Sequence, residues 1–558
     1  MLGNTVGEET CAAATDGENE CQNETVSNVG GPAGVLPFDV EAGGGAGTNA
    51  KVREAGDCSS NSYTFYGVSA FLIAVLFILS SFLALVVLAC AAIFWYLWSR
   101  LVRDTTGDGK MLLRNETWAL VKGACTCNAN LVRPRILTLV LWLAFILALV
   151  GSILSRSVGY TSSTTSPIVV IGYNLLGLFV VLFVAVWIMD FADLLNMMRM
   201  RKRTPECYRQ KVARIKAGLA LSIFAAMSVS ALVSGYAVPS TVMIEIPSVN
   251  LPLCMDGYRI ALIADLHLGP LADASDSRRV VDFVNSEDVD AVLFVGDIGD
   301  QTVNEALVEK MAPFKDNGGM QSYDGTFFVP GNHENYNKVS DYRALLPGYN
   351  MTMLENKYAA ISPRRYACSQ DEEIIFLGVS DPSLSSAPGE EDEGYIPPDF
   401  NAAVNGVSEN APKILLMHQP LTDTFEKASN ANVDLVCSGH THGGQIWPQH
   451  ALLLLGKFVG VSGLFQRKET FMYISEGFVG WGPRTRLFSW PEQTIIVLRN
   501  AEKFEQEGKQ ADTSTTAAQA WAFVALFSLG LSLAFIMLSV SMRLWMTFAK
   551  SRRSNKET

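Results

Sequence analysis

The stretch Val436-Cys437-Ser438-Gly439-His440-Thr441-His442-Gly443-Gly444-Gln445 ends an apolar, strand-like run with two histidines one residue apart, flanked by glycines. Alternate residues of an extended segment share a face, so the imidazoles of His440 and His442 can enter one pocket. Glycine lets the backbone approach whatever these histidines hold. The stretch therefore predicts a ligand site at the end of a buried strand.

Four further apolar runs end in polar clusters. The clusters are Asp265-Leu266-His267 after Ile260–Ala264, Gly296-Asp297-Ile298-Gly299-Asp300 after Ala291–Val295, Gly331-Asn332-His333-Glu334 after Phe327–Val329, and His418 after Ile414–Met417. In open α/β sheets, ligands bind beyond the carboxyl ends of the strands, so these clusters are expected to meet. Strand-like runs alternate with helical segments, which favours a mostly parallel sheet with helices outside it.

The side chains of these clusters suggest a metal centre. Carboxylate, amide and imidazole groups suit Mn²⁺, Fe²⁺, Zn²⁺ or Mg²⁺, and the sequence does not distinguish among these ions. The candidate ligands outnumber what one ion needs, so two ions that share a carboxylate are expected. Taken singly, each residue has a structural alternative: a helix N-cap for Asp265, turns at Asp297 and Asn332, and a core histidine at His418.

The order Asp-x-His, Gly-Asp-x-x-Asp, Gly-Asn-His-Glu, His and Gly-His-x-His resembles the calcineurin-like metallophosphoesterases. The continuation Gly443-Gly444-Gln445 and the stretches Tyr473–Gly477, Trp481-Gly482-Pro483 and Arg486-Leu487-Phe488 are similar to one branch. That branch includes the YkuE- and YaeI-type phosphoesterases and animal transmembrane proteins with a metallophosphoesterase domain. The resemblance covers about Val242 to Leu498 and implies an α/β fold, a double β-sheet sandwich flanked by helices.

The resemblance also implies a role for each candidate residue. Asp265, His267 and His442 would bind one metal, Asn332, His418 and His440 would bind the other, and Asp297 would bridge both. His333 would protonate the leaving oxygen or stabilise charge on it, and Asp300 would orient His333. Arg484 and Arg486 are candidates for substrate contact, with a solvated surface arginine as the alternative at Arg484.

Composition indicates a membrane protein with more than one domain. The 558 residues are 49% hydrophobic, and the formal net charge is −12 at pH 7. A strongly acidic chain is not expected to carry a general nucleic-acid-binding surface.

Five apolar stretches are long enough to cross a bilayer as helices, because a span needs about 20 apolar residues. They are Gly67–Leu97, Ile136–Leu154, Pro167–Met189, Ala217–Val238 and Ala520–Leu544. Lysine and arginine concentrate after the first and third stretches and at the C-terminus, which predicts that these segments are cytoplasmic. The N-terminal tail and Pro239–Thr515 are then expected in the lumen or outside the cell, where Asn23 and Asn350 are candidate glycosylation sites.

The chain divides accordingly into six parts. They are a disordered acidic tail (1–64), a four-span region (65–238), a catalytic domain (239–502), a polar linker (503–517), a C-terminal span (518–545) and a basic cytoplasmic tail (546–558). Because both ends of the domain join spans, a phospholipid or another lipid-linked phosphate ester is a candidate substrate beside the bilayer. Soluble phosphate esters remain open.

Two functions from different classes follow. The leading hypothesis is a membrane-anchored phosphoesterase that hydrolyses a phosphate mono- or diester by attack of a metal-bound hydroxide on phosphorus. The alternative is a membrane receptor or scaffold that uses the phosphoesterase fold as a ligand-binding ectodomain. Turnover distinguishes the two.

Overall fold

The structure, a computed structural model, describes residues 93–103, 134–154, 166–197, 206–369, 371–383, 394–447, 449–454 and 456–511. The predicted N-terminal tail with Asn23, most of the first span, the C-terminal span and the basic tail lie outside the described residues. Predictions about those segments stay predictions.

Twelve strands are described. They are β1 (Ser240–Ser248), β2 (Tyr258–Ile263), β3 (Ala291–Val295), β4 (Gly325–Val329), β5 (Met351–Met353), β6 (Lys357–Ile361), β7 (Ile374–Gly378), β8 (Lys413–Leu416), β9 (Leu435–Ser438), β10 (Gly463–Arg467), β11 (Thr470–Ile474) and β12 (Glu492–Asn500).

The α-helices are α1 (Pro134–Leu154), α2 (Pro167–Met197), α3 (Glu206–Gly235), α4 (Ala274–Ser286), α5 (Glu305–Met311), α6 (Asn332–Tyr336), α7 (Val339–Leu345), α8 (Phe400–Val404), α9 (Thr422–Asn430), α10 (Gln449–Leu454) and α11 (Ala501–Gln506). Short 3₁₀ turns lie at Leu253–Met255, Ala312–Phe314, Asp316–Gly318, Leu346–Tyr349 and His442–Gly444. Residues 93–98 are helical and lead into a π-helical turn at Ser99–Arg103.

Two six-stranded sheets form the catalytic domain, in the orders β1-β12-β2-β3-β4-β5 and β10-β11-β9-β8-β7-β6. The strands that precede the polar clusters, β2, β3 and β4 in one sheet and β8 and β9 in the other, pair in parallel. Antiparallel pairs at β12–β2, β6–β7 and β10–β11 make both sheets mixed rather than purely parallel. The predicted double sheet is confirmed.

Apolar layers hold the sheets and helices together. Leu262, Leu293 and Phe327 of the first sheet pack against the second sheet in one buried core, where the Phe327 and Phe376 rings stack with centroids 4.5 Å apart. Helices α4, α5 and α7 cover the outer face of the first sheet, and α8 and α9 cover the second. Burial on both faces explains why these strands read as continuous apolar runs.

Two helical segments are long and apolar enough to cross a membrane, Pro167–Asp190 in α2 and Val212–Gly235 in α3. The apolar part of α1 within the described residues is shorter, Leu139–Gly151. Helices α1 and α2 approach closely at two glycines, since a Cβ on Gly151 would lie 2.5 Å from the Cα of Gly172. Small residues allow such approach between membrane helices. The prediction of five spans is therefore supported at two of them.

Candidate metal centre

The loops beyond β2, β3, β4, β8 and β9 bring the predicted ligands together in two groups. The first metal group is Asp265, His267 and His442, and the second is Asp297, His418 and His440 with Asn332. In the first group the Nε2 atoms of His267 and His442 lie 3.3 Å apart, and Asp265 Oδ1 lies 3.8 Å from His442 Nε2.

In the second group the Nε2 atom of His418 is the centre of contacts. It lies 3.1 Å from Asp297 Oδ2, 3.0 Å from Asn332 Oδ1 and 3.2 Å from His440 Nδ1. The same Oδ2 of Asp297 is 3.7 Å from His267 Nε2 in the first group. Asp297 therefore lies between the groups, where a shared ligand has to be.

The tautomers fit metal ligation. His267 Nδ1 donates to Asp300 Oδ1 at 2.9 Å, and His418 Nδ1 donates to the Val295 carbonyl at 2.8 Å. These bonds leave the Nε2 lone pairs directed at the centre, as in ligating histidines whose other nitrogen has an outer hydrogen bond. A metal ion would satisfy the Nε2 atoms of His267 and His442, which are buried and lie 3.3 Å from each other.

The pKa values of the buried candidate ligands also fit a metal centre. Burial, together with Asp297, raises the pKa of Asp265 to about 6, and burial lowers the pKa of His440 to about 3. Although burial opposes it, Asp297 raises the pKa of His418 well above its usual range. A divalent ion would take the place of the proton shared by Asp297 and His418, because metal ligands bind in deprotonated form. The residues present thus fit a pair of divalent ions.

The backbone at the centre is strained. Five of the site residues have left-handed backbone conformations: Asp265 (φ 56°), His267 (48°), Asp297 (54°), His440 (71°) and His442 (52°). Each such residue costs on the order of 1–3 kcal/mol, and such strain clusters at functional sites. Nearby glycines allow close approach, since a Cβ on Gly439 would lie 2.5 Å from Asp265 Oδ2.

His333 and Asp300 form a pair beside the two groups. Asp300 Oδ1 accepts from both His333 Nδ1 and His267 Nδ1, so this one carboxylate orients two imidazoles. His333 Nε2 lies 4.0 Å from Asp297 Oδ2, outside both groups. Burial lowers the pKa of His333, but Asp300 and Asp297 outweigh it and raise that pKa to about 9. The protein groups therefore keep an N–H donor facing the centre.

Glu334 is a site residue to which the sequence interpretation gave no role. It is completely buried, and its carboxylate accepts from the backbone N–H groups of Asp297 (2.9 Å), Gly299 (3.1 Å) and Gly331 (2.7 Å). It thereby ties the loop after β3 to the loop after β4. A usable signal was present, because Glu three residues after Gly331 at a helix start is half of a capping box.

The structure gives both candidate arginines protein partners. Arg486 is completely buried, and its guanidinium donates to the carbonyls of His442 and Gly477 at 3.4 and 3.1 Å. Arg484 pairs with Asp276 at 3.2 Å and lies over the ring of Tyr236. Both arginines thus have structural partners, and substrate contact by either of them stays a prediction.

Comparisons with known proteins agree with the geometry. Residues 258–444 match the family described as calcineurin-like phosphoesterase. Two relatives are named transmembrane protein with metallophosphoesterase domain. The one from Bos taurus is 34% identical over 51% of this chain and 63% of its own length. The one from Danio rerio is 31% identical over 68% of this chain and 85% of its own. The match thus spans just under two thirds of the bovine relative.

A third relative is named UDP-2,3-diacylglucosamine pyrophosphatase LpxG, from Chlamydia muridarum. It is 26% identical over 43% of this chain and 84% of its own length.

Proposed function

The chain belongs to the calcineurin-like phosphoesterase family, and from this premise we propose that it is a membrane-anchored phosphoesterase with a two-metal centre. Membership confirms the resemblance read from the motifs, with the hydrolase class and the two divalent ions that it implied. The observation that carries the proposal is the position of Asp297 between the two groups. Its Oδ2 lies 3.1 Å from His418 Nε2 and 3.7 Å from His267 Nε2.

The proposed ligand assignment follows the two groups. Asp265, His267 and His442 would hold one ion, and Asn332, His418 and His440 would hold the other, with Asp297 shared. Two bound divalent ions would activate water and offset the charge that develops on the phosphoryl oxygens. No thiolate takes part, in keeping with the ions predicted from the ligand types.

Residues of the chain itself would supply a proton to the substrate and orient the group that carries it. The N–H at His333 Nε2 is placed to donate to the leaving oxygen or to a phosphoryl oxygen. Asp300 holds the Nδ1 side of the His333 ring, so the imidazole presents Nε2 to the substrate. Glu334 fixes the backbone from which Asp297 and His333 project, since it binds the N–H groups of Asp297 and Gly331.

We propose a lipid-linked phosphate ester as the substrate. Ile446, Trp447 and Leu487, on segments next to the centre, pack against Val181 and Val184 of α2 in one apolar cluster. The rings of Trp447 and Trp187 have centroids 6.1 Å apart. An apolar tail beside α2 and a phosphate at the ions would suit this arrangement. The name of the Chlamydia relative, which refers to a diacylated sugar nucleotide, supports the same class.

We also propose that the catalytic domain faces the lumen or the exterior. A Cys254–Cys368 disulfide joins residues 114 positions apart, and disulfides persist in oxidising compartments. Asn350 of the Asn-Met-Thr sequon is exposed directly after the turn Leu346–Tyr349. Both observations support the orientation deduced from the positive charges.

The receptor alternative is less favoured by the site. A binding module requires neither a shared metal carboxylate nor a histidine held by a second carboxylate outside the ligand set. The positions of Asp297, between the two groups, and of Asp300, beside His333, support both features.

The test is turnover by the full chain in lipid nanodiscs supplied with Mn²⁺. The substrates are p-nitrophenyl phosphate, bis-p-nitrophenyl phosphate and a phospholipid dispersed in the disc. We expect hydrolysis that is abolished in Asp297→Asn and retained in Asp282→Asn, a matched change at an exposed position of α4. Equal turnover by both variants would overturn the proposal. Hydrolysis of the soluble esters alone would overturn the lipid assignment.

A further inference from the structure

A short backbone segment, Arg484–Leu487, lies between helix α3 and the metal centre. The N–H of Arg486 donates to the Ala231 carbonyl at 2.9 Å, and the hydroxyl of Ser234 donates to the Arg486 carbonyl. On its other side, the N–H of Leu487 donates to the Gln445 carbonyl at 2.7 Å. The segment thus bonds to the end of α3 and to the turn that follows His442.

Two helix glycines make this contact possible. A Cβ on Gly235, the last residue of α3, would lie 1.4 Å from the Arg484 carbonyl oxygen. A Cβ on Gly177 of α2 would lie 2.1 Å from Thr485 Oγ1. No L side chain tolerates 1.4 Å to a backbone atom, so any larger residue at Gly235 has to displace the segment. By contrast, a Cβ on Gly218, also in α3, would meet nothing within 4 Å.

From this segment the Arg486 side chain reaches the backbone of the first metal group. Its guanidinium donates to the His442 carbonyl at 3.4 Å and to the Gly477 carbonyl at 3.1 Å. Ser489 Oγ donates to the same His442 carbonyl at 3.0 Å. Gly477 in turn lies against Asp265, since a Cβ there would be 2.8 Å from Asp265 Cβ. Arg486 therefore holds the backbone on two sides of the group formed by Asp265, His267 and His442.

The choice of arginine fits this task. Burial lowers the pKa of Arg486 from 12.5 to about 10. Because this pKa is still well above 7, the buried guanidinium carries its charge at neutral pH. A planar guanidinium offers five donors in a fixed fork, whereas a lysine ammonium is a compact charge on a flexible stem. Only the fork can serve the carbonyls of His442, Gly477 and Val479 together with the hydroxyl of Ser489.

A second connection runs along the surface through Arg484. Its guanidinium binds Asp276 of α4 and the Leu271 carbonyl, and it lies 5.2 Å from the ring centroid of Tyr236. The hydroxyl of Tyr236 accepts from Asn174 of α2 at 2.6 Å. Helices α2 and α3 are therefore fastened to the catalytic domain on both sides of the segment.

We infer that helices α2 and α3 form part of the scaffold of the first metal group, and that Arg486 is the positioning residue that couples them to His442. The inference rests on the two-metal site of the proposed function. The second metal group is held instead by Glu334 and by the Val295 carbonyl, far along the chain from this segment. Disturbing the helix contact should therefore weaken one of the two ions and spare the other.

The experiment measures metal retention by the full chain in nanodiscs, without substrate. Protein loaded with Zn²⁺ is titrated with a chelator, and bound zinc per chain is determined by mass spectrometry. We expect Gly235→Ala to weaken one ion about tenfold or more, the effect typical of lost outer contacts to ligands, with the second ion unchanged. Gly218→Ala is the matched control and should retain both ions as the parent does.

Further variants keep the test independent of gross misfolding. Ser489→Ala removes one of the three donors to the His442 carbonyl, which also accepts from the Arg486 guanidinium and from the Gln445 N–H. It should weaken the same ion to a smaller extent. Arg486→Lys should act like Gly235→Ala and lower kcat with little change in KM, because the substrate-facing groups stay in place. If Gly235→Ala, Ser489→Ala and Arg486→Lys all retained two ions like the control, the inference would be wrong. A parent chain that bound no zinc would instead overturn the proposed function.

Discussion

His333 lies beside the two metal groups and belongs to neither of them. Its Nδ1 is bonded to Asp300, and its Nε2 faces the shared carboxylate from 4.0 Å. We propose that His333 would donate a proton to the substrate rather than bind a metal, and proton donation of this kind contributes on the order of 10²–10⁴-fold to a rate.

We therefore expect His333→Gln to lower kcat by about 10²-fold or more while bound metal stays at the parent value. Steady-state kinetics and metal content, measured on one preparation, check this. His450→Gln is a control of the same type outside both metal groups. Should His333→Gln lose metal in parallel with activity, His333 would be a ligand and its assigned role would be wrong.

At the level of single residues, the motifs were enough to predict which side chains meet. The spacing of the motifs and their positions after strand ends predicted that five side chains lie close together, and in the structure they do: Asp265, His267, Asp297, His418 and His442. The left-handed backbone at Asp297 and the burial of Arg486 were not predictable, because both depend on contacts with segments distant in sequence. A hydrophilic side chain gives no sign in the sequence that the fold will bury it.

Helix α5 carries a buried lysine whose pKa affects how stability depends on pH. Lys310 has no exposed surface, and its ammonium donates to the Gly269 carbonyl at 2.7 Å and to Gln301 Oε1 at 3.3 Å. Burial lowers its pKa from 10.5 to about 8. The folded state therefore releases the proton at a lower pH than the unfolded state does.

Between about pH 8 and 10.5 the unfolded chain binds more protons at this position, so its contribution to the free energy of unfolding rises with pH. We expect urea unfolding of the parent to show this rise and Lys310→Met to lack it. Lys427→Met, at an exposed position in α9, should keep it. A parallel pH dependence in the parent and Lys310→Met would contradict the burial of a titrating ammonium.

At the scale of elements, the sequence predicted the positions of the strands better than it predicted which strands pair. Apolar runs ending in polar clusters marked β2, β3, β4, β8 and β9, since burial on both faces leaves a continuous apolar signal. The antiparallel placement of β12 beside β2 depends on a strand more than 200 residues away, which periodicity does not encode. For the same reason, packing of Trp447 against Trp187 of α2 appears only in the folded chain.

For the molecule as a whole, orientation across the membrane has a direct chemical marker. If the domain from Pro239 onward is lumenal or external, the exposed Asn350 should carry an N-linked glycan in a eukaryotic host. We expect glycosidase treatment to shift the electrophoretic mobility of the full chain, with the part of the shift due to this site absent in Asn350→Gln. Asn356→Gln, outside any sequon, is the control. No shift at all, with Cys254 and Cys368 reduced in cells, would place the domain in the cytoplasm.

Composition predicted the membrane region as a set of spans and did not assign those spans any contact with the metal centre. In the structure, Ala231 and Ser234 of α3 bond to the Arg486 segment beside the metal centre. A pattern of apolar residues indicates that a helix can cross a bilayer but says nothing about what its end touches. Activity measurements therefore belong on the full chain, because excision before β1 would remove these contacts.

We propose a phosphoesterase centre in which Asp297 would be shared by two divalent ions. This proposal is tested most directly by titrating Mn²⁺ into the metal-free full chain in nanodiscs while phosphodiester hydrolysis is followed. We expect two ions to bind per chain and turnover to rise with the second equivalent, with Asp297→Asn inactive throughout. Full turnover with a single bound ion, or two bound ions without hydrolysis of any ester in the panel, would contradict the account.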